Sequence, residues 1–186
     1  MNDSTVSFVN MADGTFDDYA LLAREEEDHN AGTADRVIAH LQLQAGGFGG
    51  YKIDRLEHSL QSATRAERDG LDEEWIFAAL IHDIGDTVAP ENHSEMAAAV
   101  IRPYVRREIY DVVKHHGLFQ GYYYFHHYGM DRNARDQFRD APFFDATVKF
   151  CERYDQNCFD PEYENYSLEH FRPLLLDIFS RKPKVS

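Results

Sequence analysis

Cysteine is scarce: Cys151 and Cys158 are the two in 186 residues. Two are too few for a disulfide framework, so the expected setting is reducing and cytoplasmic. No run of about 18 apolar residues occurs, which excludes an ordinary membrane helix. Met1–Asn10 has neither the basic start nor the apolar middle of a secretory leader. Positive charge is also short, with 19 Lys and Arg against 33 Asp and Glu and a formal charge of −14. A field of that sign repels polyanions, so no nucleic acid and no membrane is expected among the partners. Alternation of period two is missing at sheet-forming length, and no internal repeat is found. The glycine-rich stretch Gly46–Gly50 lacks the Gly-Lys-Ser/Thr ending of a phosphate loop and reads as a flexible connection. Nothing in the chain speaks to its oligomeric state.

What is present suffices for a buried core, at 43% hydrophobic and 13% aromatic residues. Residues 1–32 read as an acidic lead-in whose densest charge, at Glu25–Asp28, is a solvated helix face or a frayed segment, and residues 33–186 as one helical domain. Helical periodicity predicts elements over 34–44, 56–69, 91–104, 105–116, 144–154 and 168–179. Another is expected after Asp72, an N-cap in type and position, through Trp75, Phe77, Ala78 and Ile81. The stretch 117–140, with Gly117, Gly121 and Gly129, is expected to be irregular. The fold class is therefore all-α, a single compact bundle.

Histidine is the compositional excess, at 10 residues. His58 lies early in one helix, His82-Asp83 ends an apolar run, His93 opens the next element, and His115-His116 closes another. Asp155 ends the pattern Val148, Cys151, Tyr154. An ionisable pair after the apolar run Ile76–Ile81 is costly unless a charge partner meets it. Imidazoles and carboxylates converging on one point suit iron, manganese or zinc. His115 competes with His116 for one position, and Asp160 with Asp155. His116 and Asp155 are preferred, the latter because Asp160 precedes Pro161 in a turn-like context.

The order His58, His82-Asp83, Asp155 resembles the HD superfamily of metal-dependent helical proteins. His93 and His116, placed after the His-Asp pair, resemble its two-metal branch. Leu56-Glu57-His58-Ser59-Leu60-Gln61 and the helix through Ala78-Ala79 are similar to the HD-domain mixed-valent di-iron oxygenases that cleave organophosphonates. That resemblance implies a dinuclear site in the core, with two iron ions, Fe(II) and Fe(III), and O2 as co-substrate. His58, His82, Asp83 and Asp155 would serve one ion, and His93 and His116 the other. Asp83 is expected to bridge them as the central catalytic ligand, with the ions about 3.5–4 Å apart. Signalling hydrolases of the superfamily carry a lysine where this chain has Asp86.

The resemblance also implies a small organophosphonate as substrate. Family members acting on a primary amine have a lid tyrosine and an amine-binding glutamate where an ungapped count puts Phe48 and Tyr51. Without that glutamate, a quaternary ammonium is the expected cation, held by ring faces of Tyr51, Tyr122, Tyr123 and Tyr124. Asp86, Gln120, His126, His127 and Arg153 complete the expected substrate contacts, and Arg132 and Arg135 are further donors available to a phosphonate. The products implied are glycine betaine and phosphate. Glycine formation from a primary-amine substrate, a metal-dependent phosphohydrolase and a non-catalytic metal-binding sensor are the alternatives.

Overall fold

The computed structural model describes residues 5–46 and 49–184. Among them are eight α-helices and no strand: α1 (Phe16–Ala31), α2 (Thr33–Gln42), α3 (Arg55–Arg68), α4 (Glu73–Ile81), α5 (His93–Ile101), α6 (Arg107–Tyr124), α7 (Phe144–Tyr154) and α8 (Leu168–Ser180). No helix among the described residues is long and apolar enough to cross a membrane. The expected all-α bundle is the fold found.

Local chemistry sets where the helices begin. Asp54 caps α3 and exchanges hydrogen bonds with Glu57, closing a capping box that orients the helix carrying His58. Asp72 accepts from the Trp75 backbone N–H and starts α4 as expected. In α4 every residue from Ile76 to Ile81 is buried. A helix that is apolar all round has no solvent face, so it runs through the interior and delivers His82 and Asp83 there. Helix α3 packs on α4 and α7, α6 packs on α5 and α7, and α2 packs on α8. Phe77, Leu80, Ile101, Phe119, Phe150 and Leu175 are fully buried between them. Each such side chain contributes about 1.5–3 kcal/mol through removal from water.

Within the acidic stretch, the charge run Glu25–Asp28 lies on α1. Thr15 and Asp18 form a capping box at the start of α1. Asp18 also accepts from the Ser7 backbone N–H at 2.7 Å and the Ser7 hydroxyl at 2.9 Å, which folds the preceding segment back. Those bonds hold the Asp18 carboxyl below the ordinary carboxylate range. Glu25, Glu26, Glu27 and Asp28 all face solvent.

One boundary differs from the periodicity. Helix α6 does not stop at His116 but continues through Gly117 and Gly121 to Tyr124. These glycines serve close packing. A Cβ at Gly117 would stand 2.8 Å from the Ser94 hydroxyl, so the glycine lets α5 approach α6.

Candidate metal centre

Five segments of the bundle meet at one point. His58 sits in the second turn of α3, His82 and Asp83 follow α4, His93 opens α5, His116 lies within α6 and Asp155 ends α7. The loop after α4 is held down by Gln44, whose amide donates to the Asp83 carbonyl at 2.6 Å. His40 Nε2 lies 3.0 Å from the Ile84 carbonyl and braces the same loop.

Four imidazoles are oriented in the same way. Nδ1 of His58 lies 2.9 Å from the Cys158 carbonyl, that of His82 2.8 Å from Ala79, that of His116 2.7 Å from Val113, and that of His93 3.1 Å from Pro90. A carbonyl oxygen only accepts, so each Nδ1 carries the proton and each Nε2 turns inward. His58 Nε2 and His82 Nε2 then face one another at 3.1 Å. Asp83 Oδ2 is 3.4 Å from the first and 3.5 Å from the second, and Asp155 Oδ1 is 3.5 and 3.7 Å away.

The other oxygen of Asp83 looks the opposite way. Its Oδ1 lies 3.1 Å from His116 Nε2 and 3.5 Å from His93 Nε2. Thus one carboxylate belongs to two adjacent sets of donors. Asp86 stands behind the second set, with Oδ1 3.4 Å from His93 Nδ1 and Oδ2 2.9 Å from Arg55 Nε.

The electrostatics call for added positive charge. His58, His82 and Asp155 are wholly buried. Burial alone would lower the His58 pKa, but Asp155 and Asp83 outweigh it and lift it to about 9. His82 is likewise raised against its burial, by the charge of Asp83 and by Asp155. Burial favours the neutral form of Asp83 and of Asp155, yet the surrounding imidazoles hold both carboxyls below their ordinary values. Asp86 goes the other way, raised by burial and by the charge of Asp83. With no metal, a proton on an inward Nε2 must separate the facing lone pairs, and a metal cation does the same with several donors at once.

The donor set fits a first-row transition metal. Bonds of about 2.1 Å place neighbouring ligand atoms roughly 3.0–3.4 Å apart, close to the separations here. His58, His82 and Asp155 form one group able to hold an ion, and His82, Asp83 and His116 form another. Asp83, Asp86 and His93 form a third, more exposed group. Asp155 Oδ2 is buried with no hydrogen-bond donor among the described residues, as a second coordinating oxygen would be.

The competing candidates fall outside this cluster. The His115 ring stacks on Phe143 at 4.5 Å, and its Nδ1 bonds the Asp111 carbonyl. Asp160 caps its own turn, accepting from the Glu162 backbone N–H.

The expected substrate contacts divide. Gln120 donates to Asp155 Oδ1, one turn beyond His116 on α6. Tyr124 is exposed, its ring edge-on to Phe125 at 5.1 Å and to Tyr128 at 5.9 Å. Partial burial raises its phenol pKa, and the charges of Tyr51, Asp155, Tyr128 and Asp83 add to the shift. Tyr51 stacks on Phe159 at 4.7 Å, and Phe159 stacks on His58 at 4.3 Å, so an aromatic column caps the first set of donors. Tyr122 has another occupation, with the Arg132 and Arg135 guanidiniums 4.2 and 3.8 Å from its ring centre. Tyr123 packs on the core. His126 and His127 are exposed and lie against each other at 4.0 Å. Arg153 pairs with Asp69 at 2.8 Å on a separate surface pocket. Asp86 is engaged by Arg55 and His93 rather than open to an anion. Phe48 lies outside the described residues.

Two residues went unnoticed in the sequence. Arg55 ties Asp86 to Asp83, with Nη1 3.3 Å from Asp83 Oδ2. Its place one helical turn before His58 was the available signal. Phe159 carried none, being a single aromatic in a turn.

Residues 55–141 match the HD domain family. The match includes His58, His82, Asp83, His93 and His116 and ends before Asp155. Over 78 residues the chain is also 36% identical to the [1-hydroxy-2-(trimethylamino)ethyl]phosphonate dioxygenase (glycine-betaine-forming) of Leisingera caerulea, covering 36% of this chain and 40% of that relative.

Proposed function

We propose that the chain is a di-iron oxygenase that cleaves the carbon–phosphorus bond of a 1-hydroxy-2-(trimethylamino)ethylphosphonate-type substrate. The atoms balance with O2 alone. The C1–H and C1–P bonds are lost, carbon becomes the carboxylate of glycine betaine, phosphorus leaves as phosphate, and no outside reductant is needed. The observation that carries the reading is the division of Asp83 between two donor sets, His58, His82 and Asp155 on one side and His116 and His93 on the other. A relative named for this reaction supports the substrate class.

His58, His82, Asp83 and Asp155 would hold one ion, and Asp83, His93 and His116 the other. Bound iron of unequal charge supplies Lewis acidity toward the hydroxyl and phosphonate oxygens and redox capacity toward O2. The protein's own groups do the rest. Arg55 offsets part of the charge of Asp83 and Asp86 and keeps the bridging carboxylate from turning. Gln120 fixes the coordinating face of Asp155. The Nδ1–carbonyl bonds hold each imidazole in its ligating tautomer. A trimethylammonium has no N–H to donate, so it is recognised by ring faces; Tyr124 is the ring proposed, because Tyr51 already meets the Arg55 guanidinium at 4.9 Å and Phe159 at 4.7 Å.

The test is oxygen uptake together with phosphate release on the trimethylated hydroxyphosphonate. The reading expects one O2 consumed per phosphate. Phosphate release at an undiminished rate without O2 would return the site to hydrolysis. Tight binding with no turnover would make it a sensor.

A further inference from the structure

Away from the metal centre, a pocket of about 290 Å³ is lined by Arg65, Arg68, Asp69, Arg153, Asn157 and Tyr163. Its charge is opposite to that of the whole chain. Three guanidiniums face one carboxylate in a protein of formal charge −14. That carboxylate is already engaged, since Asp69 Oδ2 accepts from Arg153 at 2.8 Å and from the Tyr154 hydroxyl at 2.9 Å. Arg65 and Arg68 make no ion pair among the described residues. Arg65 Nε is buried there with no hydrogen-bond acceptor.

Tyr163 holds both side chains in place. The Arg65 guanidinium lies 4.1 Å from its ring centre and that of Arg68 5.1 Å. Stacking of this kind fixes a guanidinium plane while leaving edge N–H groups for a planar or tetrahedral acceptor. Arg68 is further pinned by donation to the Glu164 carbonyl at 2.8 Å. Two immobilised cations therefore share one ring, and Arg65 Nε is a donor without an acceptor. An oxyanion in the pocket offsets the charge that the two guanidiniums share.

We infer that this pocket is a binding site for a small tetrahedral oxyanion of the phosphate class, held by Arg65 and Arg68 with Asn157 at its rim. The volume suits a free ion or a small phosphorylated molecule and is too small for a macromolecule. Arg65 lies two turns beyond His58 on α3, about 10 Å along the axis, so the pocket is distinct from the metal centre. The inference does not depend on the reaction proposed above.

The experiment is calorimetric titration of the metal-loaded full chain with inorganic phosphate at constant ionic strength. Saturable binding is expected, weakened about tenfold or more in Arg68→Gln, since a charge-assisted hydrogen bond contributes that much. Arg68 is exposed, so this variant keeps the fold. Arg65→Gln weakens binding in the same way. Asp69→Asn removes the pocket's one carboxylate and tightens it. Absence of saturable binding overturns the inference, and so does an isotherm unchanged across all three variants, which would assign the phosphate to the metals.

Discussion

The two sides of Asp83 are built differently. His58, His82 and Asp155 are wholly enclosed, capped by Phe159 and backed by the Cys158 and Ala79 carbonyls. The His93 side is open, with that side chain 25% exposed and braced by Asp86 and a turn. An enclosed donor set admits neither substrate nor exchange, whereas the open set leaves room for both. On the function proposed above, the inner side would retain its ion and the outer side would give access.

The strongest way to break this comparison is Asp83→Ala. The carboxylate faces both sets, so both ions should be lost, read by metal analysis of the purified variant against wild type. Retention of one ion at full occupancy would show that the sides are independent. Next in size is His58→Ala, which leaves His82 and Asp155 buried without their partner. It should cost about 3–5 kcal/mol in denaturant unfolding of the metal-free chain, as removing one member of a buried charged group does.

His93→Ala should separate the sides. The outer ion is lost while the inner ion and the unfolding midpoint of the metal-free chain stay near wild type, because His93 is solvent-accessible. Equal loss of both ions would contradict the division. A chelator applied to wild type should likewise remove the outer ion first, followed by metal content against time.

Gly85→Ala sharpens the same point without touching a ligand. A Cβ there would lie 2.7 Å from the His93 Cα and carbonyl oxygen, so α5 must shift away. Outer-ion affinity should fall about 10–100-fold, the usual effect of disturbing a ligand's support. Unchanged affinity would mean that the loop yields instead. Smallest is Tyr124→Leu, which keeps apolar bulk and deletes the ring quadrupole. The kcat/KM ratio for the trimethylated over the unmethylated hydroxyphosphonate should narrow about thirtyfold or less, given a cation–π contact worth up to ~2 kcal/mol. An unchanged ratio would make Tyr124 a packing residue.

The aromatic cluster shows how far residue type carries. Tyr122, Tyr123 and Tyr124 are adjacent and chemically identical, yet one is covered by two arginines, one packs on the core and one is exposed against Tyr128. Successive residues on a helix point about 100° apart, so their fates depend on what surrounds α6. The expected stop at Gly117 failed for a related reason, because a glycine that breaks a helix and one that admits a neighbour read the same in one dimension.

By itself the sequence determined the helical class, the cap at Asp72, and the apolar run that forces His82-Asp83 inward. These depend on neighbours within a few positions, where periodicity and side-chain chemistry act directly. Only the tertiary structure decided that His116 rather than His115 turns into the cluster, that Arg55 ties Asp83 to Asp86, and that Arg153 belongs to another pocket. Each of those depends on the direction of a side chain relative to a distant helix. Packing sets that direction, and spacing along the chain does not encode it.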